Sequence, residues 1–194
     1  MSSEDPQLSD LSHTPEPEAP AAAAPVVLQG PKAFTIALAV IVADQISKFW
    51  ILGSVFPAAC QPFVPTPAYY TPCSVPVFGP LNLSMVWNQG VSFGLFRGEA
   101  DWVRWVLVAF SLCVAVALGV WARKVDRPLL GAAIGLIMGG AIGNLIDRAR
   151  LGAVADFLDL QALYFPWVFN IADSAITVGV VLLLLDSVRR DVKP

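Results

Sequence analysis

Charged residues are scarce in this sequence. Only 14% of its 194 residues are charged and 56% are hydrophobic, whereas a soluble globular domain carries about 25% charged residues. The mean hydropathy of +0.66 agrees with this deficit. The composition therefore argues against an ordinary soluble domain and indicates lipid as the solvent. The formal net charge of −3 says little, because the charges of such a chain are divided between two sides of a membrane.

Histidine and cysteine are scarce as well. The single histidine, His13, lies in a polar N-terminal segment, and the three cysteines have no spacing typical of metal ligands. The usual ligands of a catalytic zinc ion are therefore missing. We expect neither a metal nor another cofactor, and no nucleic-acid partner.

Residues 1–31 form a separate block of the sequence. The block contains five acidic residues, many prolines and an alanine run, but no lysine or arginine. Such a segment cannot bury enough apolar surface to offset its chain entropy, so we predict a disordered cytoplasmic tail. It is not the start of a signal peptide, which would be basic. Residues 32–190 are predicted to form one compact membrane domain, and we expect a monomer.

Four apolar stretches in that domain approach the length of about 20 helical residues that a bilayer requires. They cover residues 33–52, 103–122, 129–146 and 164–185. One such stretch could be a buried core helix, but four in a short chain predict an all-α membrane protein with four transmembrane helices. The third stretch has glycines four residues apart, which share one helix face and predict close helix packing: Gly131, Gly135, Gly139 and Gly143.

Lysine and arginine lie mainly on one side of this four-helix topology: before the first helix, between the second and third, and after the fourth. Because cytoplasmic loops carry the excess of basic residues, both termini are predicted to be cytoplasmic. Residues 53–101 and 147–163 then face outward. Within the first of these loops, residues 81–87 resemble a strand and residues 88–90 a turn, so we expect a small β element on the outer surface.

Ionisable side chains inside membrane-spanning helices are costly and are functional candidates by default. Asp44, Lys48 and Asp173 all fall in the outer half of the bilayer when depth is counted at about 1.5 Å per helical residue. Asp44 and Lys48 are four residues apart and can pair on one helix face. A structural ion pair and a catalytic role both remain open for them. Asp147 and Arg148, at the end of the third helix, are either site residues or ordinary interface residues.

Asp156 and Asp173 are the candidate catalytic pair. Asp156 lies in an apolar stretch just beyond the third helix, and Asp173 has no lysine or arginine between Arg150 and Arg189 to pair with it. Two carboxylates in a partly dry site would share a proton. One then acts as general base on water while the other donates a proton to a carbonyl oxygen. That chemistry is typical of an aspartic peptidase.

Three other interpretations stay open at this point. A small transporter could use the same carboxylates as a proton or cation relay, although it should also carry polar groups in the inner helix halves, which are apolar here. A lipoprotein precursor cleaved before Cys60 would need an aliphatic residue in place of Pro57, and it would not have three further spans. A structural membrane protein without chemistry leaves the intramembrane charge of Asp173 unexplained.

Five short motifs, all in order, resemble those of the lipoprotein signal peptidase family, the bacterial signal peptidase II. They are DQISK at 44–48, NQGVSFG at 88–94, GGAIGNLIDR at 139–148, VADF at 154–157 and FNIADS at 169–174. The resemblance covers roughly residues 33–190. The acidic tail and the proline-rich stretch at 56–80 depart from the family pattern without touching these motifs.

The resemblance implies a membrane aspartic endopeptidase of the bacterial inner membrane. The family removes the signal peptide from prolipoproteins that carry a diacylglyceryl group, cutting just before the modified cysteine, and it is the target of globomycin. The implied fold has four transmembrane helices, a small extracytoplasmic β-cradle and a short periplasmic helix. The catalytic aspartates correspond to Asp156 and Asp173. Residues expected to bind substrate or support the site are Asp44, Lys48, Asn88, Gly140, Asn144, Arg148 and Asn170.

Cys60 and Cys73 both lie in the first outer loop. That compartment favours disulfides if the charge-based topology is right. We therefore predict a disulfide between them, with two free thiols as the alternative. Cys113 lies within the second span and is not expected to join them.

Overall fold

The computed structural model describes residues 28–67, 73–90 and 101–191. Within these ranges, four helices are long and apolar enough to cross a membrane, as the sequence predicts. Helix α1 (Gly30–Trp50) continues through a π-helical turn (Ile51–Val55) into the short helix α2 (Phe56–Ala59). The other three long helices are α3 (Asp101–Ala122), α4 (Pro128–Leu151) and α5 (Ile171–Asp191).

Helix α4 lies at the centre of the bundle and is the most buried of the four. The other three turn large apolar side chains outward; in α3, for example, Phe110 is 66% exposed and Val116 58%. A helix that is apolar all round is typical of a membrane span, because its outer face meets hydrocarbon rather than water. The burial pattern therefore fits the composition of the sequence.

The glycine row of α4 packs closely against another helix, as predicted, and that helix is α1. A Cβ atom at Gly135 would lie 2.5 Å from the carbonyl oxygen of Ala33, and one at Gly139 would lie 2.7 Å from that of Ala37. Neither position can hold a side chain unless the backbones move apart. Close approach of two helices through small residues is the usual way in which helices associate in lipid. The row therefore fixes α1 at a short distance from α4.

One four-stranded antiparallel sheet covers one end of the bundle, with strand order β1-β2-β3-β4. Its strands are β1 (Ser74–Phe78), β2 (Leu81–Asn88), β3 (Val154–Asp159) and β4 (Val168–Phe169). The predicted strand at residues 81–87 is thus confirmed, but Asn88, predicted to open a turn, is the last residue of β2 because it pairs with Val154. The edge strand β1 was not predicted, and it contains Pro76. A proline has no backbone N–H to donate to a neighbouring strand, and an edge strand tolerates this because it has a neighbour on one side only.

Three helix boundaries differ from the predictions by five or more residues, including the end of α5, which lies at Asp191 rather than at residue 185. Helix α4 continues past residue 146 to Leu151, where Gly152 ends it with a left-handed φ of 87°, a conformation that glycine adopts without strain. Helix α5 begins at Ile171 rather than at residue 164. The residues before it form a 3-10 turn (Gln161–Leu163) and β4. Hydropathy cannot separate such an apolar strand segment from the helix that follows it.

The sheet packs on the end of α1 through a small apolar core that includes Ile51, Phe56, Met85 and Phe157. Beside this core, a disulfide joins Cys60 and Cys73, whose Cα atoms are 5.9 Å apart. The bridge ties the segment after α2 to the start of β1. The sheet is therefore held to the helical bundle at its β1–β2 side as well as through β3 and β4.

Candidate active site

Asp156 lies in β3, which follows α4 after the turn at Gly152. Its neighbours Ala155 and Phe157 both belong to the apolar core beneath the sheet. Successive strand side chains point to opposite faces, so Asp156 projects away from that core although it is only 1% exposed. Its Oδ1 accepts a hydrogen bond from Nδ2 of Asn170 at 2.7 Å, and its Oδ2 accepts one from Nδ2 of Asn88 at 3.1 Å.

Asp173 lies in the first turn of α5, where Asn170 caps the helix. The backbone N–H of Asp173 donates to Oδ1 of Asn170 at 2.8 Å, and the backbone N–H of Asn170 donates to Oδ2 of Asp173 at 3.3 Å. This reciprocal pair is a capping box, which satisfies two helix-end donors at once. The other oxygen of Asp173, Oδ1, accepts a hydrogen bond from Nδ2 of Asn144 in α4 at 2.7 Å.

Asn170 therefore connects the two candidate catalytic aspartates. It is fully buried, its amide nitrogen donates to Asp156, and its backbone and Oδ1 form the capping box with Asp173. The same amide nitrogen also lies 3.1 Å from Oδ1 of Asn144. One asparagine thus holds a strand carboxylate and a helix carboxylate in a single hydrogen-bonded network.

A buried charge cluster lies behind this network. Lys48 bridges two carboxylates, Asp44 at 2.8 Å and Asp147 at 2.7 Å, and its Nζ lies 3.4 Å from Oδ1 of Asn144. All three charged side chains are at most 4% exposed. Gln45 completes the cluster by donating to both carboxylates. The predicted Asp44–Lys48 ion pair is present, but it is part of a triad.

The triad also holds the backbone next to each candidate catalytic residue. Oδ1 of Asp44 accepts the backbone N–H of Ala172 at 3.1 Å, and Ala172 directly precedes Asp173. Oδ2 of Asp147 accepts the backbone N–H of Ala155 at 3.1 Å, and Ala155 directly precedes Asp156. The two carboxylates that Lys48 joins therefore fix the backbone immediately before Asp156 and Asp173.

Burial raises the pKa of Asp156 to about 7. The main cause is desolvation, which disfavours the charged form, and the second is the negative charge of Asp173. Hydrogen bonds from Asn88 and Asn170 and the positive charge of Lys48 act in the opposite direction. A carboxyl group with this pKa can hold a proton near neutral pH and give it up during a reaction.

Two other predicted site residues occupy different surroundings. Arg148, partly buried at the end of α4, interacts electrostatically with Asp173 and Asp156. In the described part of the chain, its Nε is buried without a hydrogen-bond partner. Gly140 does not join the hydrogen-bonded network; a Cβ atom there would clash with the carbonyl oxygen of Ala172 and with Ile176 at 2.7 Å. Gly140 thus lets α5 approach α4 next to the site.

Sequence reasoning left three contributors unassigned. The sequence leaves Asp147 open between a site residue and an interface residue, and it assigns no role to Gln45, in the first motif, or to Arg104. Arg104 lies in the first turn of α3 and donates to the carbonyl oxygens of Arg148 and Ala149, both at 2.7 Å. The bond to Ala149 satisfies one of the carbonyls that the last turn of α4 leaves without an intrahelical partner, whereas the carbonyl oxygen of Arg148 also accepts the backbone N–H of Gly152. The spacing of Asn144 and Asp147 on one helix face was the available signal for Asp147.

Within the described ranges, no group of three or more histidine, cysteine, aspartate or glutamate side chains is arranged to hold a metal ion. Lys48 occupies the space between the two carboxylates of the charge cluster, where a cation would otherwise be needed.

The profile of one protein family matches most of the chain. Residues 36–189 match the family described as Signal peptidase (SPase) II. Among similar proteins, the lipoprotein signal peptidase of Caulobacter vibrioides is 53% identical over 163 residues, which cover 84% of this chain and 89% of that protein. The lipoprotein signal peptidase of Methylorubrum extorquens is 45% identical over 153 residues, covering 78% and 82%.

Solved structures also resemble this fold. One chain, described as a bacterial membrane enzyme solved by the in meso method at 2.3 Å resolution, superposes with a TM-score of 0.65 and 26% identity and covers 84% of this chain and 90% of its own. A second, described in the same words at 1.9 Å resolution, gives a TM-score of 0.63 and 28% identity. It covers 80% of this chain and 92% of its own.

Proposed function

Because this chain belongs to the signal peptidase II family of membrane enzymes, we propose that it is an aspartic endopeptidase with Asp156 and Asp173 as its catalytic pair. Its proposed substrates are prolipoproteins that carry a diacylglyceryl group, and the proposed cut falls just before the modified cysteine. The observation that carries the proposal is the position of Asn170, which binds both aspartates.

The two carboxyl groups have different surroundings, and this difference suggests their roles. Asp156, whose pKa is raised to about 7, holds the proton and donates it to the oxygen of the scissile carbonyl. Asp173 lies at the N-terminal end of α5, where the helix dipole stabilises a negative charge. It accepts a proton from the attacking water, whose oxygen bonds to the carbonyl carbon. The tetrahedral intermediate then collapses: Asp173 gives the proton it took from water to the leaving nitrogen as the C–N bond breaks, and Asp156 regains its proton from the hydroxyl group as the carbonyl re-forms.

The remaining polar groups are proposed to hold the substrate and the pair. Asn88 and Asn170 orient Asp156, and Asn144 orients Asp173. Arg148 is proposed to bind a substrate carbonyl, because its Nε has no hydrogen-bond partner within the described residues. An extended peptide requires donors of this kind along its backbone.

We further propose that both termini are cytoplasmic and that the site lies near the outer leaflet, where the lipid tails of the substrate remain. The distribution of lysine and arginine supports this orientation. The sheet β1–β4 is the proposed extracytoplasmic β-cradle. The predicted short periplasmic helix stays a prediction, as does the monomeric state.

The test is cleavage of a diacylglyceryl-modified precursor by the full-length enzyme, with and without globomycin. Asp156→Asn and Asp173→Asn should each lower turnover by several orders of magnitude, because residues that act as a unit fail together. Globomycin should block the wild-type enzyme.

The matched control is Asp159→Asn. Asp159 is also buried in β3, but it accepts hydrogen bonds from Ser84 and from the backbone of Gln161 and lies outside the proposed site. This variant should keep most of its turnover. Near-normal cleavage by either catalytic variant, with unchanged thermal unfolding, would refute the aspartic mechanism.

A further inference from the structure

The connection between β3 and α5 exposes a cluster of large apolar side chains. Tyr164 is 98% exposed and Trp167 66%, and Leu163 and Phe165 are exposed as well. We call these four residues the aromatic ledge. No charged residue occurs between Asp159 and Asp173. Contiguous apolar surface of this kind marks a contact with another molecule or with lipid.

The aromatic ledge has a fixed shape. The ring of Phe165 packs edge-on against Trp167 at 5.2 Å and against Phe169 at 5.5 Å between centroids, and Phe169 is anchored in the sheet by its pairing with Leu158. Tyr164 ends the preceding 3-10 turn with a φ of 61°, a conformation that residues with a side chain rarely adopt. The sheet therefore presents these rings outward in one arrangement.

We propose that the aromatic ledge lies in the lipid–water interface of the bilayer that α5 enters. Only the two-residue strand β4 and Asn170 separate the ledge from α5, which begins at Ile171, so the ledge lies at the level where this helix begins to cross. Exposed tryptophans also stand at the ends of the other helices on this side of the bundle, Trp50 in α1 and Trp102 in α3. Trp and Tyr are enriched at membrane interfaces, because their rings are apolar and their polar groups stay hydrated.

The aromatic ledge also lies on the stretch of chain that joins Asp156 to Asp173. Anchoring it at the interface would hold both aspartates at one depth relative to the bilayer surface. This consequence rests on the proposed function, whereas the position of the ledge in the membrane does not. A substrate that is itself held by lipid tails would then meet the aspartates at a constant depth.

The position is tested by spin-label depth measurements on the full-length protein in liposomes. In a Cys113→Ser background, in which Cys60 and Cys73 are bridged, a label at Tyr164→Cys is compared with two standards in the same chain. Phe110→Cys, in the exposed middle of α3, reports hydrocarbon, and Lys124→Cys, in the exposed α3–α4 loop, reports water.

The label at position 164 should be accessible to both oxygen and a water-soluble nickel complex, at values between the two standards. Accessibility equal to that of the Lys124→Cys label would overturn the proposal. Dipolar broadening between labels at position 164 would indicate that a second copy covers the ledge, which would also overturn it.

The functional consequence is tested with Tyr164→Gly combined with Trp167→Gln. Glycine suits the φ of 61°, so the tyrosine ring is removed without disturbing the backbone. The kcat/KM for a precursor in liposomes should fall severalfold, while the kcat in detergent micelles stays unchanged. Trp121→Gln, at the other end of α3, is the control and should change neither value.

An equal loss of activity in liposomes and in detergent would mean that the site itself is damaged, and it would overturn the anchoring role. Failure of the catalytic assignment would leave the depth measurement unaffected. The two proposals therefore fail in distinguishable ways.

Discussion

Replacing Lys48 tests the charge cluster behind the site most directly. Lys48 bonds to both Asp44 and Asp147 within the buried part of the bundle. The change Lys48→Met keeps the length of the side chain but leaves two carboxylates without their cation. Removing one partner of a buried ion pair costs about 3–5 kcal/mol, chiefly because the other charge stays buried. Since Lys48 serves two carboxylates, its loss should lie at about the upper end of that range.

The structure predicts a particular order among the combined variants. Asp44→Asn should be milder than Lys48→Met, because Lys48 keeps Asp147 as a partner. Adding Asp44→Asn to Lys48→Met should recover only part of the stability, because Asp147 remains charged and unpaired. The triple variant that also carries Asp147→Asn should recover more, because replacing a whole buried ion cluster by neutral groups is often nearly neutral.

The assay is thermal unfolding of the full-length protein in one fixed detergent. For a domain of 150–250 residues, about 1 kcal/mol shifts Tm by roughly 2–4 °C. The Tm of Lys48→Met should therefore fall by about 10–20 °C. The control is Asp186→Asn, which removes an ion pair with Arg127 at the other end of the bundle. Because Arg127 is 41% exposed, this loss should be smaller.

Additivity would refute the reasoning. If the losses of Asp44→Asn and Lys48→Met simply sum in the double variant, the two side chains are energetically independent. A loss of stability in Lys48→Met that is no larger than in Asp44→Asn would contradict the claim that Lys48 serves both carboxylates. Residues in one ion-pair network should instead show an interaction energy of about 0.5–3 kcal/mol.

Three further predictions concern single contacts. Because the pKa of Asp156 is about 7 and its protonated form is the proposed acid, kcat/KM should decline as pH rises through about 7. The variant Asn88→Ala removes a hydrogen bond that lowers this pKa. In its pH–rate profile, the decline should therefore move to higher pH. Asn170→Ala should lose both activity and about 1 kcal/mol of stability. Asn170→Ser should keep the helix cap, and therefore its thermal stability, but it should still fail in cleavage because serine has no amide to reach Asp156. Full activity of the serine variant would contradict this. Non-reducing mass spectrometry should find Cys60 and Cys73 in one cross-linked peptide, whose loss on reduction should cost about 3 kcal/mol; free alkylation of both thiols would show that the bridge is absent.

The candidate site was largely visible in the sequence as a set of unusual residues. Asp44, Lys48 and Asp173 were identified because charge is costly in an apolar helix. Asp156 was identified from its apolar sequence surroundings just beyond the third helix. These inferences use local composition only, so they could name the residues but not their partners. Asp147 illustrates the limit, because a carboxylate at a helix end has an ordinary interface explanation until its bond to Lys48 is seen.

The sequence by itself determined the four spanning helices and the glycine face of α4, because hydropathy and a four-residue repeat are local properties of the chain. Only the tertiary structure decided that Asn170 binds both aspartates, that Lys48 serves Asp147 as well as Asp44, and that β4 precedes α5. The physical reason is that these bonds join elements far apart in the chain. The bond between Asp44 and the backbone of Ala172, for example, spans 128 residues, and no local pattern specifies a contact that depends on how the helices pack.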